Sequence, residues 1–430
     1  MNALFFALIA IAFLVTGYRQ IGWVAPTPEA VAPMDALAIG MVEAAKSSVT
    51  LALGLIGIMA FFLGLMKVAE AGGLLVIIAR LLRPLMIRLF PDVPAEHPAM
   101  GAMVMNLSAN ALGLGNAATP FGIRAMQELD KLNYYRGSAT NAMALFLAIN
   151  TSSVTLLPTG VIALRAASGS TDPAGILPTT LFATLCSTTV AILAAKFYQR
   201  FSAVEPPAGF APPDDATPPP AVEASLAEAP PGYPAYISIL ALAVIVAMIP
   251  LTVAFGATIS PWILPGLAVL LLGFGVLRRV RIYETFVEGA REGFQVAVRI
   301  IPYLVAILVA VGMLRESGAL EAFVQAVGQY TGALGLPAEA LPMALLRPLS
   351  GSGAYGVMAA TIQDPAIGPD SYIGYLVSTL QGSTETTFYV LAVYFGAIQI
   401  RRVRHALAAG LTADLAGIIG AIVACQWLLA

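Results

Sequence analysis

The chain has 430 residues, of which 59% are hydrophobic and only 11% are charged, and its mean hydropathy is +0.84. A soluble globular protein carries about a quarter charged residues, so most of this chain is expected to face lipid or other apolar helices. The formal net charge of −2 argues against nucleic-acid binding, and two cysteines are too few for a disulfide framework or a cysteine-based metal site.

The apolar stretches, taken in chain order, predict an all-α polytopic membrane protein. A helix needs about 20 apolar residues to cross the hydrocarbon core. Nine stretches meet or approach this length, at residues 2–18, 47–66, 137–163, 174–196, 235–255, 262–278, 297–314, 372–398 and 406–428. The first lacks a basic leader and a cleavage site of small residues, so we expect a retained helix rather than a signal peptide.

Two further apolar stretches are interrupted by small and polar residues. They cover residues 99–129, after the second crossing, and residues 341–364, after the seventh. Each divides into two helices of roughly a dozen residues, which at about 1.5 Å per residue reach only part of the way across a bilayer. We therefore predict two re-entrant helical hairpins, whose free backbone groups must be buried in protein or line a cavity.

The basic residues predict one orientation for all nine crossings. Lysine and arginine concentrate in cytoplasmic loops, and seven of them lie between the second and third crossings, against only Arg315 and Arg347 between the seventh and eighth. This distribution places the N-terminus in the cytoplasm and the C-terminus outside the inner membrane of a bacterium. The basic, apolar stretch 74–90 is expected to lie on lipid headgroups.

Landmarks recur in the same order in the two halves of the chain. The string VEAAK at 42–46 resembles VEGAR at 287–291, and NTSSVT at 150–155 corresponds to QGSTET at 381–386. Inverted repeats around broken helices are typical of secondary transporters. We predict two repeats of inverted topology, arranged as a first repeat at 1–201, a Pro/Ala-rich disordered linker at 202–234, an inverting helix at 235–256 and a second repeat at 257–430.

Longer strings carry a family resemblance, notably NLSANALGLGNAATPFG at 106–122 and QGSTETTFYVLAVYFGAIQIRRVRHAL at 381–407. Residues 40–200 resemble the spore maturation protein A family, and residues 258–430 resemble the spore maturation protein B family, so the chain resembles a fusion of the two. Both families belong to a wider nucleoside recognition, or gate-domain, group that includes concentrative nucleoside transporters and the membrane domain of the ferrous iron transporter. The resemblance implies a role in spore core dehydration without a defined substrate.

The resemblance also implies where a solute binds. In nucleoside transporters a hairpin motif of the Gly-Gln-Thr-Glu-x-Pro kind contacts the base, and broken helices hold substrate and sodium. The string GNAATP at 115–120 keeps an amide at Asn116 but has Ala118 at the glutamate position. This departure argues against a nucleoside, and the hairpin tips contain no cysteine that would favour iron.

The candidate substrate or ion contacts are short polar side chains at the hairpin tips and at the polar interruptions of two crossings. Helix ends at such places present free N–H or carbonyl dipoles to a solute. Alternatively, the glycines permit close helix packing and the hydroxyls bond their own helix backbone. The candidates are Asn110, Asn116, Thr119, Asn150, Ser152, Ser153, Ser350, Ser352, Gln381, Ser383, Thr384 and Thr386.

Three charged residues in apolar stretches, Arg347, Glu385 and Asp414, complete the candidate set. A charge at the centre of a membrane helix costs about 2.5–3.5 kcal/mol on insertion scales, so such residues are commonly functional. We expect Arg347 and one of the carboxylates to bind substrate or a coupling proton; a structural ion pair, or a side chain that reaches the interface, is the alternative. The first half has no matching charges, so this site is asymmetric.

Two hypotheses of different class follow from these patterns. The first is a secondary transporter for a small polar or anionic solute, coupled to Na⁺ or H⁺ or uncoupled, with its site at the midplane between the hairpins and the broken helices. The second is a non-transporting scaffold or regulator on a transporter-like fold. The sequence has no Gly-x-x-x-x-Gly-Lys-Ser/Thr motif and no nucleophile elbow or His-Glu-x-x-His motif, so we expect neither an enzyme nor a resident cofactor. A homo-oligomer stays open.

Overall fold

The computed structural model describes residues 2–27, 30–135, 137–152, 154–202 and 231–429, and over these ranges the protein is built from α-helices and short 3-10 turns, with one isolated β-bridge. The helices are α1 (Asn2–Gln20), α2 (Pro33–Ala71), α3 (Leu74–Leu89), α4 (Pro98–Ala111), α5 (Gly115–Lys131), α6 (Asn141–Ser152), α7 (Thr159–Ala167), α8 (Ile176–Tyr198), α9 (Ala235–Leu277), α10 (Ile282–Glu316), α11 (Ala319–Thr331), α12 (Leu341–Leu346), α13 (Gly351–Gln363), α14 (Tyr372–Ser383), α15 (Thr387–Ala397) and α16 (Ala406–Leu429).

Within the described ranges, three helices are long and apolar enough to cross a membrane. They are Pro33–Ala71, Ile176–Tyr198 and Ala406–Trp427. Together with the composition, they establish an α-helical membrane protein. Most of the predicted linker, residues 203–230, lies outside the described residues.

The helices form two series with the same order and similar lengths. In the first series α2 has 39 residues, α6 has 12 and α8 has 23; in the second, α10 has 35, α14 has 12 and α16 has 24. The predicted hairpin stretches appear as the short helix pairs α4–α5 and α12–α13, and the crossings at 137–163 and 372–398 appear as the broken pairs α6–α7 and α14–α15.

Matched helices of the two series run antiparallel where they pack together. In the α2–α10 pair, Gly40 lies against Glu316 and Gly64 lies against Phe286. This pair packs closely because α10 presents glycine to the α2 backbone: a Cβ on Gly293 would lie 2.6 Å from the Cα of Ala60. The α8–α16 pair is also antiparallel.

The two broken helices cross at their breaks and are bonded to each other there. The described part of the break in the first is residues 154–158, where Pro158 lacks an N–H and disfavours helical backbone at the residue before it. The break in the second is residues 384–386. The N–H of Glu385 donates to the carbonyl of Thr151 at 2.8 Å, so the last turn of α6 supplies a partner for the second break.

The ends of the broken helices are joined in two places, which we name the first and second clasps. In the first clasp, residues 137–139 meet 401–404, and the N–H of Ala139 donates to Arg402 O at 3.0 Å. In the second clasp, residues 165–172 meet 369–375, and Arg165 Nη1 donates to Pro369 O at 2.6 Å. The start of each broken helix therefore meets the end of the other, which makes them antiparallel.

Arg165 organises the second clasp although it is completely buried. Its guanidinium lies 4.2 Å from the ring centroid of Tyr375, and its Nη2 donates to Asp370 Oδ1 at 3.1 Å. Burial raises the pKa of Asp370, but hydrogen bonds from Ser170 and Thr171 and the charge of Arg165 lower the pKa by more, so the net pKa lies below its ordinary value. Asp370 is therefore ionised at neutral pH and pairs with Arg165.

Each hairpin tip packs against the break of the broken helix in its own series. At the first tip, residues 112–114, a Cβ on Gly113 would lie 2.6 Å from Leu157 O, and Gly113 has a φ of +72°. The N–H of Leu156 donates to Ala111 O at 2.9 Å beside it. At the second tip, the N–H of Phe388 donates to Pro348 O at 3.1 Å. The hairpins thus hold backbone groups that the helix breaks leave free.

Residues 235–277, predicted as two crossings, lie in one helical segment, α9. Residues 256–261 contain no charged side chain that would favour a solvent-exposed loop there. The N–H of Tyr233, just before α9, donates to Arg80 O, while Phe274 near its end lies against Gly72. A straight helix of 43 residues is about 65 Å long, whereas eight residues from Gly72 to Arg80 span at most about 29 Å. The α9 segment therefore returns to the side on which it starts.

We expect Arg165→Ala to lower the free energy of unfolding by about 3–5 kcal/mol, because it leaves polar partners of a buried charge unpaired. Thermal unfolding of the detergent-purified protein measures this. The matched control is Lys46→Ala, which removes a pair with Glu43 whose side chains are 67% and 60% exposed and changes stability by about 0–1 kcal/mol. Equal effects of the two variants would contradict the assignment of Arg165 as the centre of the clasp.

His405, between α15 and α16, predicts a pH dependence of stability. It is 3% exposed, and neither ring nitrogen has a hydrogen-bond partner within the described ranges. Burial, reinforced by the charge of Arg404, lowers the pKa of His405 to about 4. An unfolded histidine titrates near pH 6.5, so the unfolded state binds more protons between about pH 6.5 and 4 and stability falls as the pH falls through this window. The unfolding midpoint of His405→Asn should fall less steeply than that of the native protein; equal slopes would be evidence against the prediction.

Candidate functional site

A cavity of about 270 Å³ lies between the two series of helices. Met59 of α2 and Leu304 of α10 each lie about two-thirds of the way along their helix, and because the two helices are antiparallel the cavity faces the central part of the pair. The remaining walls come from the starts of α7 and α13 and the last turn of α14. The seven lining residues are Met59, Gly160, Leu304, Gly351, Ser352, Tyr355 and Gln381.

Three polar side chains meet at this otherwise apolar cavity. The hydroxyl of Tyr355 donates to Gly160 O at 3.0 Å and so ties α13 of one series to α7 of the other. The Oε1 atom of Gln381 is buried and has no hydrogen-bond partner among the described residues. A buried polar atom left unpaired costs about 1–3 kcal/mol, so a water molecule or a polar solute that donates to Gln381 fits this position. Ser352 lies in the first turn of α13 beside it.

Next to the cavity lies a group that we name the charge cluster: Arg347, Glu385 and Asp414. Arg347 is 5% exposed; it donates to Thr386 Oγ1 at 3.2 Å and to the carbonyl of Thr384, and its Nη2 lies 3.8 Å from Glu385 Oε2. The hairpin thereby inserts a cation into the break of the second broken helix. Its charge is compensated by a carboxylate whose side chain is 49% exposed.

Asp414 approaches the same break from α16. Its Oδ2 accepts a hydrogen bond from Thr387 Oγ1 at 2.7 Å, and the residue is 5% exposed. Gly351 joins the cluster to the cavity: it lines the cavity, and a Cβ there would lie 2.7 Å from Thr386 Oγ1 and 3.5 Å from Arg347 Nη1. The absence of a side chain at Gly351 therefore lets Arg347 and Thr386 approach the cavity wall.

Seven of the fifteen predicted site residues lie close together in the structure, and all seven belong to the second series. The charge cluster and the break contain Arg347, Thr384, Glu385, Thr386 and Asp414, and the cavity wall contains Ser352 and Gln381. Ser350 lies between these groups but caps α13, because its Oγ accepts from the N–H of Gly353 at 3.0 Å.

The predicted residues of the first series do not line this cavity. Asn110 Nδ2 donates to Asn150 Oδ1 at 2.9 Å, and Asn150 Nδ2 bonds Phe146 O of its own helix. Thr119 lies in α5, outside the cavity lining. The side chain of Asn116 and the whole of Ser153 lie outside the described residues.

Ser152 and Ser383, at matching ends of α6 and α14, bond the carbonyls three residues earlier at 3.0 Å and 3.5 Å. Their hydroxyls thus satisfy their own helices, as the alternative interpretation of the polar stretches anticipated. The carbonyl of Ser152 accepts from Thr184 Oγ1 at 2.9 Å. Both serines therefore terminate helices at the breaks.

Sequence reasoning missed the cavity residues that carry no polar signal and one that does. Met59, Leu304 and Gly160 are typical of any apolar helix, and nothing in the sequence indicates that they share a wall. Thr387 extends the polar stretch at 381–386 by one residue and was detectable by that continuity. Tyr355 follows the Gly-Ser-Gly start of α13 by one turn, but its orientation depends on packing.

In the part of the chain that the structure describes, no group of three or more His, Cys, Asp or Glu side chains could hold a metal ion. The charge cluster contains two carboxylates next to a guanidinium, a composition that suits a proton or an anion better than a metal cation.

The sequence matches the family described as "Gate: Nucleoside recognition" over residues 52–168 and 297–401. These two ranges contain the breaks of both broken helices and both hairpin tips. They also contain every cavity-lining residue.

Two curated proteins of Bacillus subtilis (strain 168) are similar to this chain. Spore maturation protein A is 49% identical over 156 residues, which are 36% of this chain and 80% of that protein. Spore maturation protein B is 46% identical over 153 residues, which are 36% of this chain and 85% of that protein. Among solved structures, the crystal structure of the Alcanivorax borkumensis YdaH transporter aligns with a TM-score of 0.37 and 15% identity, covering 99% of this chain and 97% of that one.

We expect Thr387→Val to destabilise the protein by about 1–3 kcal/mol, because it removes the hydrogen bond to a buried carboxyl group. The matched control is Thr361→Val: Thr361 is also buried, but its hydroxyl bonds Val357 O of its own helix, and the expected loss is about 1 kcal/mol or less. Thermal unfolding in detergent compares the two. A loss for Thr387→Val no larger than that of the control would contradict the bond to Asp414.

Proposed function

The chain belongs to the nucleoside recognition (Gate) family, and we propose that it is a secondary transporter that moves a small polar or anionic solute across the membrane. The observation that carries the proposal is the cavity that both helix series line, facing the central part of the α2–α10 pair. A solute held there lies against the second hairpin and both broken helices. Opening to either side requires that the broken helices and the second hairpin move against the α2–α10 pair.

The proposed membrane arrangement has nine crossings, two re-entrant hairpins and two repeats of inverted topology. Three observations support it: matched helices of the two series pack antiparallel, each hairpin packs its tip against a helix break, and the two ends of α9 contact the same corner of α2 and α3. Two crossings within 235–277 account for that return. Backbone breaks at membrane depth are tolerated because they are buried in protein.

The proposed orientation places the first clasp in the cytoplasm and the second clasp outside a bacterial inner membrane. The first clasp has three arginines, at 401, 402 and 404, whereas the second has one arginine, Arg165, with Asp172 and Asp370. This difference follows the rule that basic residues concentrate in cytoplasmic loops. The N-terminus is then cytoplasmic and the C-terminus external.

The cavity favours a small solute, coupled to Na⁺ or H⁺ or uncoupled. Its polar groups are Gln381, Ser352 and Tyr355, and Arg347 lies behind Gly351 at one wall. An amide and hydroxyls bind a neutral polar solute, and the adjacent guanidinium accommodates a carboxylate or phosphate. Ala118, at the position of a nucleoside-binding glutamate in the family motif, argues against a nucleoside. Because the related proteins are named for spore maturation, we propose a solute that is moved in that process.

A scaffold or regulator is the second candidate, favoured by the first hairpin. Its tip packs through Leu112 and Leu114 in an apolar cluster with Phe121 and Leu157, and the described residues that line the cavity come from the second hairpin and not from the first. A transporter with one open and one closed hairpin displays this asymmetry in a single state. A scaffold displays it permanently, and the difference is measurable by ligand binding.

We expect at least one solute to raise the unfolding temperature of the purified protein in a panel of nucleosides, amino acids, dicarboxylates and dipicolinate, with Na⁺ and pH varied. A ligand at about 100 times its dissociation constant stabilises the folded state by about 2.7 kcal/mol. Gln381→Ala and Glu385→Gln should abolish the shift. The matched control is Gln363→Ala at the exposed end of α13, which should retain it. Absence of any shift across the panel would favour the scaffold.

A further inference from the structure

The charge cluster carries one more carboxylate than guanidinium. Arg347 is paired with Glu385 at 3.8 Å, and Asp414 lies within electrostatic range of the same guanidinium. If all three groups are ionised, the cluster has a net charge of −1 in an apolar part of the molecule. A buried charge without full compensation is strongly unfavourable, so one additional positive charge stabilises the cluster.

Asp414 has a free position for that positive charge. It is 5% exposed, its Oδ2 is bonded to Thr387, and its Oδ1 has no hydrogen-bond partner among the described residues. In contrast, the side chain of Glu385 is 49% exposed and forms an ion pair with the guanidinium of Arg347. The unpaired atom is therefore on the carboxyl group that water screens least.

The groups around Asp414 leave few alternatives to a proton. From α6, α8 and α15, the neighbours along α16 at this level carry hydroxyls: Thr151 lies against Gly410, Ser187 bonds Ala413 O, and Thr387 bonds Asp414 itself. Cys186 of α8 lies further along, against Gly420. The charged group that acts on Asp414 is Arg347 of the second hairpin; Glu385 in the break acts on the same guanidinium, and Tyr394 of α15 lies near Glu385.

A metal cation suits this position poorly. Hard cations take about six oxygen ligands in proteins, and Arg347 places a positive charge in the same cluster that repels a second cation. A proton needs a single oxygen atom, and Oδ1 offers it. Protonation leaves Arg347 and Glu385 as a neutral pair and removes the excess charge.

We propose that Asp414 carries the coupling proton of the transporter, bound at Oδ1 and exchanged with water by way of the exposed carboxylate of Glu385. This inference rests on the proposed function. Protonation forms an O–H bond on Asp414 and consumes one proton from water on one side; release returns that proton to water on the other side. No other bond changes.

The position of Arg347 connects this proton to the solute. When Asp414 is protonated, Arg347 is attracted by Glu385 and remains bonded to Thr384 and Thr386 in the break, as in the structure. When Asp414 loses its proton, a second carboxylate competes for the same guanidinium. Movement of Arg347 toward Asp414 withdraws it from the break and from Gly351 at the cavity wall, so proton release changes the solute site.

The test is infrared difference spectroscopy of the full-length protein in lipid vesicles, titrated with acid in H₂O and D₂O. The carbonyl stretch of a buried protonated carboxyl group appears on acidification and shifts in D₂O. We expect this band in the native protein and in Asp370→Asn, whose carboxylate belongs to the second clasp, and its loss in Asp414→Asn. Retention of the full band in Asp414→Asn would overturn the proposal.

If Asp414→Asn does not fold, Thr387→Val tests the assignment of the infrared band. This substitution removes the hydrogen bond to Asp414 Oδ2, so it changes the frequency of a band that belongs to Asp414. An unchanged frequency would refute the assignment.

The infrared band requires no solute, so it tests the protonation of Asp414 independently of the transporter proposal. For a solute found in the stability panel, we expect its addition to acid-loaded vesicles to change internal pH with the native protein and not with Asp414→Asn. Equal solute uptake without a pH change would retain the transporter and reject the proton.

Discussion

The N–H of Glu385 donates to the carbonyl of Thr151 at 2.8 Å. This bond meets the constraint on which the rest of the structure depends. Two helices are interrupted in apolar surroundings, and every backbone group that an interruption frees needs a partner other than water. Where the two broken helices cross, the last turn of the first supplies the carbonyl that pairs with a backbone N–H in the break of the second. This requires them to lie side by side, and antiparallel packing of the broken helices follows from their clasped ends.

The same constraint explains the short helix pairs. The first hairpin supplies Ala111 O to the N–H of Leu156, and the second supplies Pro348 O to the N–H of Phe388. Side chains provide the remaining partners, and here the two series differ. Asn106 donates to Ala118 O within the first hairpin, whereas Arg347 reaches across to the break at Thr384. The neutral amide of Asn106 leaves the first hairpin and break without a charge, whereas the guanidinium of Arg347 places a charge at the second break.

Much of this arrangement was predictable from the sequence because it depends on local composition. Glycine and polar residues inside apolar stretches predicted that residues 99–129 and 341–364 divide into short helix pairs and that two crossings are interrupted, and the charges at 347, 385 and 414 were conspicuous for the same reason. The cavity was not predictable: Gly160 and Tyr355 meet only because α7 and α13 belong to different series that pack together. Arg165 was overlooked because its partners lie about 200 residues away. Long-range pairing leaves no local pattern.

The packing of α2 against α10 indicates which part of the molecule would move in the proposed transport cycle. Gly289 and Gly293 bring the α10 backbone so close to Leu63 and Ala60 of α2 that a Cβ at either position would clash, and such contacts resist sliding. The breaks and the second hairpin tip are joined instead by single hydrogen bonds and by the contacts of Arg347. Since the cavity lies between these two regions, access to it changes when the broken helices and the hairpin move as a unit against the α2–α10 pair. The charge cluster lies within the moving unit, where a change in its protonation acts directly on the bonds that hold the breaks.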